Sequence, residues 1–195
     1  MNLSDMGFPR QLEADYGTDV IRRVLTERTC KLWSGGNLDV PLIAMNDPLK
    51  KALQAAVLKG RLRCGFEGAL HKLNNEKTGI AHVRERSDVS HGERISRLIL
   101  LANDGAERFY RHVEQLLRSH ASRLLGCLLD TDGSILGKLV TGKDRQIKLV
   151  MAEHKDAVSE ILRAILGEQG SGAKPSAGGS RTGIKGALAR LPHTR

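Results

Sequence analysis

Three short apolar runs constrain the fold of this chain most strongly. They occupy residues 98–101, 124–130 and 146–153, and the letters "LILL" and "LLGCLL" within them contain no polar residue. Apolar runs without polar alternation are typical of strands that are covered on both faces. The segments at 103–123 and 155–166 instead repeat apolar residues at helical spacing. Strands that alternate with helices predict an α/β domain in which helices pack on a central sheet.

This predicted domain spans residues 48–166. It begins with a helix, because the polar residues at 46–47 can cap it and Pro48 suits its first turn. A second short helix follows at "GFEGALHKL", and "NNEKTG" after it is typical of a turn. We predict a short strand at residues 80–83 and then a charge-dense polar loop at 84–97.

Two flanking segments have a different character. Residues 1–47 predict an irregular N-terminal leader with one short helix at 19–28, and Pro41 restricts 38–45 to an edge strand or a loop. Over residues 167–195, Gly, Ser, Ala and Pro dominate, with five Lys or Arg against one Glu. Such a segment cannot bury enough apolar surface to offset the entropy of ordering. We therefore predict a disordered basic C-terminal tail.

The charge of the chain favours a polyanionic partner. Its net charge is +9, from 31 Lys and Arg against 22 Asp and Glu. A basic surface attracts nucleic acid most often, although a protein with only a basic tail would give the same sum. The aromatic residues make up 3% of the chain and are not clustered with basic residues, which disfavours a base-stacking platform. Binding through phosphates, helix N-termini and shape remains.

The cysteine pattern and the N-terminus bear on location. Cys30, Cys64 and Cys127 lie far apart and form no C-x-x-C pair, which argues against a zinc knuckle and favours a reducing compartment. Residues 1–17 contain acids and no apolar run, unlike a secretory signal or a transit peptide. No stretch approaches the roughly 18 apolar residues that cross a membrane. We expect a cytoplasmic protein without a membrane partner.

The stretch "GKLVTGKD" at residues 137–144 is nearly the phosphate-binding loop G-x-x-x-x-G-K-[ST]. In that loop the final hydroxyl binds magnesium, and the loop opens a long helix. Here Asp144 takes the position of the hydroxyl, and a strand-like segment follows Lys143. We interpret Gly137 as the start and Gly142 as the end of a short helix instead. The histidines are scattered and no nucleophile elbow occurs, so we expect no enzyme activity, cofactor, metal or small-molecule substrate.

Three pieces of sequence, in order, resemble a known family. They are "GFEGAL" at 65–70, "LILLANDGAERF" at 98–109 and "ILGKLVTGKDRQIKLV" at 135–150. Over roughly residues 48–166 they resemble the kink-turn RNA-binding ribosomal protein superfamily, of the large-subunit seven-Ae type, and especially its YlxQ-like members. The resemblance implies a three-layer α/β/α sandwich around a small mixed sheet. It also implies that RNA docks on the N-terminus of the glycine-led helix and on the loop before the leucine–glycine helix, residues 130–134 here.

The glycine-led helix is the main candidate site. A helix N-terminus presents backbone N–H groups and a positive dipole end to a phosphate, and Gly65 and Gly68 let the backbone approach closely. His71 stands where the family carries a lysine. The candidate RNA-binding residues are Arg61, Arg63, Gly65, Glu67, Gly68, His71, Lys72, Lys138 and Lys143.

These observations predict a non-enzymatic RNA-binding protein that is ribosome- or translation-associated. It would contact structured RNA through a helix N-terminus and basic loops, with structured RNA or the ribosome, together with other proteins, as partners. The alternative is a protein-interaction module that keeps this fold without specific RNA binding. The acidic loop at 130–134 favours this alternative.

Overall fold

The computed structural model describes residues 6–86 and 94–169, except for the side chains of 84–86 and 168–169. Within these ranges the chain forms seven helices and six strands, the strands in one mixed sheet. The strands are β1 (Thr29–Lys31), β2 (Asp39–Ala44), β3 (Leu62–Cys64), β4 (Arg97–Leu101), β5 (Leu124–Asp130) and β6 (Leu149–Ala152). The helices are α1 (Arg10–Tyr16), α2 (Thr18–Glu27), α3 (Asp47–Leu58), α4 (Phe66–Arg86), α5 (Glu107–Ser119), α6 (Gly133–Thr141) and α7 (Lys155–Gln169).

The sheet has the strand order β1-β2-β5-β4-β6-β3. Strands β2, β5 and β4 run parallel to one another, whereas β6 is antiparallel to β4, β3 to β6 and β1 to β2. Parallel neighbours need crossover connections, which the intervening helices supply. The predicted α/β fold with a mixed sheet is therefore confirmed.

Strand β4 shows why its apolar run lacks polar alternation. Successive side chains of a strand point to opposite faces, so Leu98 and Leu100 enter one core cluster and Ile99 and Leu101 enter a second. All four are buried, and each burial stabilises the fold by roughly 2 kcal/mol. Helices α1, α2, α3, α6 and α7 complete the first cluster, and α4 and α5 the second. The predicted three-layer α/β/α sandwich is therefore confirmed.

Residues 1–47 differ from the irregular leader that the sequence predicts. Where the structure describes them they contain α1, α2, β1 and β2. Strand β2 lies inside the sheet, with Leu42 opposite Leu128 of β5, and Pro41 does not interrupt this pairing because the pairing begins one residue later. Leu12 of α1 is fully buried in the first core cluster. The described part of this segment, residues 6–47, therefore packs into the same sheet and core as the rest of the domain.

Helix α4 is continuous, so the turn predicted at "NNEKTG" and the strand predicted at 80–83 are wrong. Packing overrides the local turn preference. Leu73 is buried in the second core cluster. Glu76 Oε1 forms an ion pair with Arg97 Nη2 of β4 at 2.7 Å and a second with Lys72 Nζ at 3.4 Å. These contacts hold the middle of the helix against the sheet.

Helix starts follow the expected chemistry at α3 but not at α5. The Asn46 side chain accepts the N–H of Leu49 at 2.8 Å, as a cap does. Asp104 does not cap α5, because the helix begins only at Glu107 and Ala106 precedes it without a side-chain cap. The carboxylate of Asp104 is used elsewhere, as described below.

Helix α6 shows how "GKLVTGKD" is used. The helix begins at Gly133, so Gly137 lies in its middle and not at its start. A Cβ on Gly137 would lie 1.5 Å from the carbonyl oxygen of Arg145, so only glycine lets the following loop pass this close. Gly142, with φ 68°, ends the helix as expected.

Two predicted segments fall partly outside the described residues. The polar loop expected at 84–97 includes residues 87–93, which lie outside them. The basic tail expected at 167–195 is described only as far as Gln169, where α7 ends. The first three residues of that predicted tail are therefore helical.

Candidate functional site

Several strands end or begin at one edge of the sheet. Cys64, at the end of β3, lies opposite Val150, near the start of β6. Leu101, at the end of β4, lies opposite both Leu149 of β6 and Leu128 of β5. The loops that follow β3, β4 and β5 therefore converge with the loop that precedes β6. Ligands of open α/β sheets bind outside the carboxyl ends of the strands.

We call this surface the loop edge. It is formed by the turn after β3, the two loops after β4 and β5 and the loop before β6, that is, by residues 64–67, 102–106, 130–133 and 142–148. Backbone hydrogen bonds join these loops. The N–H of Ala102 donates to the carbonyl of Lys148 at 3.0 Å, and the N–H of Asn103 donates to the carbonyl of Thr131 at 2.9 Å. The loops thus form one continuous surface.

Asp104, in the loop after β4, contacts the loops after β5 and before β6. Its Oδ1 accepts the N–H of Gly133 at 2.8 Å, and its Oδ2 pairs with Lys148 Nζ. Burial opposes ionisation of this carboxyl, but the hydrogen bonds from Lys148 and Gly133 outweigh it and hold the pKa of Asp104 below its ordinary value. Asp104 is therefore ionised at neutral pH and already paired within the protein.

Asp132, in the acidic loop at 130–134, is also used internally. Its Oδ1 accepts the N–H groups of Ser134 and Ile135, each at 2.8 Å, and so caps α6. The hydrogen bond from the Ser134 hydroxyl, together with that from Ile135, lowers the pKa of Asp132. Two of the acids at the loop edge thus stabilise its architecture.

Gly65 makes the tight turn from β3 into α4. Its φ is +88°, a left-handed conformation that favours glycine, and its N–H donates to the carbonyl of Leu149 at 2.9 Å. A Cβ there would meet nothing within 4 Å, so the backbone conformation and not crowding demands glycine. The first turn of α4, with its outward N–H groups, consequently lies at the loop edge.

Three predicted cations near this helix are engaged in ion pairs. Arg63 Nε lies 2.8 Å from Glu153, and Arg61 Nη2 lies 3.5 Å from Asp156. Lys72 pairs with Glu76, as described above. Each of these cations therefore lies next to a carboxylate. The candidate residues do not form a continuous positive surface in this region.

The remaining predicted residues of α4 lie on its first two turns. Glu67 and His71 are exposed, and His71 lies within 3.3 Å of the Asn75 side chain. Gly68 packs under the Arg63 side chain, whose Cγ and Cδ would lie 3.4 Å from a Cβ there. The structure thus brings Gly65, Glu67, Gly68 and His71 together.

Lys138 and Lys143 belong to α6 and the loop after it. Lys138 Nζ lies 3.9 Å from Asp144 Oδ1, with both side chains largely exposed. Lys143 is exposed, and in the described part of the chain no carboxylate pairs with it. Arg145 follows in the chain. Burial raises the pKa of the Cys64 thiol, and the positive charge of the Arg145 guanidinium opposes that rise. Arg145 is exposed in the loop before β6, which belongs to the loop edge.

The structure brings together aromatic residues that the sequence separates. The rings of Phe66 and Phe109 meet edge to face with centroids 6.4 Å apart, and the His112 ring lies 6.0 Å from Phe66. Tyr110 lies 5.4 Å from Phe109, and its hydroxyl donates to the carbonyl of Ala102 at 2.6 Å. An aromatic group therefore lies at the loop edge.

Sequence reasoning missed three features of this surface: the aromatic group, Arg145 and the pair Asp104–Lys148. Arg145 is visible in the sequence as a second cation just after Lys143. The other two leave no local signal, because their partners lie more than 40 residues apart in the chain. Only the sheet topology makes them neighbours.

A separate groove lies between α4 and α5, away from the loop edge. It encloses about 270 Å³ and is lined by Leu73, Ile80, Glu76, Arg97 and His120, among others. An adjoining cavity of about 260 Å³ includes Val83, whose side chain is 48% exposed. The groove thus combines apolar lining with the ion-paired Glu76 and Arg97.

Comparisons with known proteins give fold neighbours only. No family model matches the chain, and no curated protein matches it. A solved structure of a Bacillus halodurans C protein with unknown function is 14% identical, with a TM-score of 0.44, covering 63% of this chain and 99% of that one. The Giardia lamblia 15.5kD RNA binding protein is 13% identical, with a TM-score of 0.43, covering 65% of this chain and 92% of that one.

The described residues contain neither a candidate membrane span nor a candidate metal-binding cluster. None of the helices there has the length and apolar character needed to cross a membrane. In the same part of the chain no three His, Cys, Asp or Glu side chains gather closely enough to hold a metal ion.

Proposed function

We propose that this protein is a non-enzymatic RNA-binding protein that contacts structured RNA at the loop edge. The observation that carries the proposal is the convergence there of the α4 N-terminus, the exposed Lys143 and Arg145, and an aromatic group. Phosphates bind helix N-termini and exposed cations, and bases stack on aromatic rings. A surface with all three properties suits a nucleic acid better than it suits an acidic protein, which offers no bases to stack.

The acids at the loop edge are compatible with this proposal. The charge of Asp104 is balanced by Lys148, and the Asp132 carboxylate accepts the N–H groups that begin α6. Both carboxylates are therefore engaged in contacts within the protein. For Asp132, the repulsion of a polyanion that the letters "DTDGS" suggest is correspondingly smaller.

The proposal includes membership of the kink-turn RNA-binding superfamily, in a divergent form. The three sequence pieces of the resemblance supply the start of α4, the end of β4 and the α6–β6 loop, all of which border the loop edge. Association with the ribosome or with translation, and a cytoplasmic location, belong to the same proposal. The three free cysteines are consistent with a reducing compartment.

Salt-dependent binding tests this function. A kink-turn RNA, a plain RNA duplex and a DNA duplex would be titrated with the full chain at several salt concentrations. We expect the kink-turn RNA to bind most tightly, with affinity that falls linearly on a logarithmic salt scale. The double variant Lys143→Ala/Arg145→Ala should reduce both the affinity and the salt slope, whereas Arg23→Ala, an exposed cation on α2, should lower affinity less. No binding at the lowest salt would reject the proposal.

A protein-interaction module is the second candidate function. Two observations favour it: the ion pairs that neutralise Arg61, Arg63 and Lys72, and the partly apolar groove between α4 and α5. This function predicts a partner that copurifies after RNase treatment and is lost with Val83→Asp. If Val83→Asp retains every copurifying protein, the groove is not a docking surface.

A further inference from the structure

We propose that the groove between α4 and α5 binds a small amphiphilic carboxylate, that is, a molecule with one carboxylate head on a short alkyl body. The groove lies at the opposite edge of the sheet from the loop edge, because it includes Arg97, which begins β4 and pairs with the first residue of β5. This inference goes beyond the proposed RNA-binding function and does not depend on it.

The groove consists of two cavities that share part of their lining. They enclose about 270 Å³ and about 260 Å³, and the residues common to both are Glu76, Ile80, Arg97 and Arg123. Pockets for drug-sized ligands measure roughly 300–1,000 Å³. Each cavity lies just below this range, so a ligand with a short body fills the groove.

One part of the lining is apolar and belongs to α4. Leu73 is buried in the second core cluster and borders the first cavity. Ile80 is half-buried and Val83 is 48% exposed, and both line the second cavity. An alkyl chain laid over these two side chains removes apolar surface from water, which favours binding.

Gly79 keeps the second cavity open. It lies in the interior of α4, where glycine is less favourable than alanine. Its φ is not positive, and a Cβ there would meet nothing within 4 Å, so neither the backbone conformation nor crowding requires glycine. Since Gly79 lines the second cavity, its missing side chain leaves room for a ligand.

The charged part of the lining is mainly basic. Lys77, Arg97 and Arg123 line the first cavity, against the single carboxylate of Glu76. That carboxylate already pairs with Arg97 and with Lys72. Within the part of the chain that the structure describes, no carboxylate pairs with Lys77. The surplus of positive charge is complementary to an anionic head and disfavours a cationic one.

Polar groups next to Lys77 are suited to hold a carboxylate. Ser119, His120 and Ser122 line the first cavity from the end of α5 and the turn after it. Burial lowers the pKa of the His120 imidazole, and the charge of Lys77 lowers it further. The imidazole is therefore neutral at neutral pH and carries one N–H that can donate to a carboxylate oxygen. The turn is held in place, because the His120 carbonyl accepts the N–H of Arg123 at 3.1 Å.

Titration of the full chain with octanoate, followed by the amide shifts in NMR spectra, tests this site. Octanol keeps the alkyl body without the charge, octylamine reverses the charge, and acetate keeps the head without the body. Lys77→Glu removes the cation, and Gly79→Leu fills the second cavity. The matched control is Lys51→Glu, because Lys51 is an exposed cation on α3, which packs on the other face of the sheet. Thermal unfolding of each variant establishes that it is folded.

We expect octanoate to bind saturably and to shift the amides of residues 76–83 and 119–123. Octanol, octylamine and acetate should bind at least about tenfold more weakly, because each lacks either the negative charge or the apolar body. Lys77→Glu and Gly79→Leu should each weaken octanoate binding about tenfold, and Lys51→Glu should leave it unchanged.

Four results would reject the site: no saturable octanoate binding, octanol that binds as tightly as octanoate, variants that all bind as wild type does, or shifts confined to other residues. Such a failure leaves RNA binding at the loop edge standing, because the salt titration tests that function separately. Loss of RNA binding with octanoate binding intact would reject the proposed function alone.

Discussion

The N-terminus and the middle of α4 use their charges in opposite ways. At its N-terminus, on the loop edge, Asp104 pairs with Lys148 and Asp132 caps α6, whereas Arg145 is exposed. Further along the helix, Glu76 accepts both Lys72 and Arg97, so the cations are taken up instead. The charge that a ligand meets therefore depends on which ions the fold has already paired. The count of basic letters in each stretch does not give this information.

The loop edge should be broken most severely by a side chain at Gly137. We expect Gly137→Ala to destabilise the protein by about 3 kcal/mol, because the new Cβ would meet the Arg145 carbonyl, which is backbone and cannot rotate away. The control is Gly167→Ala in α7, where a Cβ would meet nothing within 4 Å, and it should be neutral or stabilising by about 0.5 kcal/mol. Urea unfolding measures both. Equal stabilities for the two variants would contradict the packing of α6 against its following loop.

The middle of α4 should be weakened by removing the charge of Glu76. Arg97 and Glu76 side chains are only 15% and 19% exposed, so we expect Glu76→Gln to cost about 2 kcal/mol at neutral pH. The exposed pair Glu107–Arg111 supplies the control, since Glu107→Gln should cost less than about 0.5 kcal/mol. Urea midpoints at pH 7 compare the two variants.

The same variant has a defined pH dependence. Burial opposes ionisation of Glu76, but the Arg97 hydrogen bond outweighs it, so its pKa lies below the ordinary 4.5. A depressed carboxyl pKa stabilises the fold above the unfolded value, and this stabilisation is lost as pH falls through the folded value. The stability difference between wild type and Glu76→Gln should therefore be full above pH 4.5 and shrink below it. If the stability difference between the two proteins is constant down to pH 3, the ionised Glu76 carboxylate does not contribute to stability through its pair with Arg97.

The smallest expected effect is that of Arg145→Ala on the reactivity of Cys64, which tests whether Arg145 lies near Cys64 at the loop edge. Its charge opposes the burial that raises the pKa of Cys64, so Arg145→Ala should raise that pKa further and slow alkylation of Cys64 at mildly alkaline pH. Lys143→Ala is the matched control and should leave the rate nearer to wild type. Cys127, fully buried with its pKa raised to about 12, should not react in the folded protein. If Arg145→Ala leaves the alkylation rate of Cys64 unchanged, Arg145 does not lie close to the start of α4.

Much of the architecture could be predicted because local sequence patterns determine it. The apolar runs of β4, β5 and β6, the stripes of α5 and α7 and the turn at Gly142 each have a signal within a few residues. The packing of residues 6–47 into the fold could not be predicted, because β2 is short and contains a proline, and its pairing partner β5 lies 86 residues away. The continuity of α4 was missed for a similar reason. Its polar middle is held by Arg97 and by a buried Leu73, and neither contact is local.

The candidate site divides along the same line. The sequence alone determined that Gly65 and Gly142 stand at helix ends, that strands alternate with helices, and that the chain carries excess positive charge. Only the tertiary structure decided which charges are free, because an ion pair depends on distance across the fold and not on composition. It also decided that Phe66 and Phe109 are neighbours. Parallel strands place their carboxyl ends side by side, so residues from distant loops meet at one edge however far apart they lie in the chain.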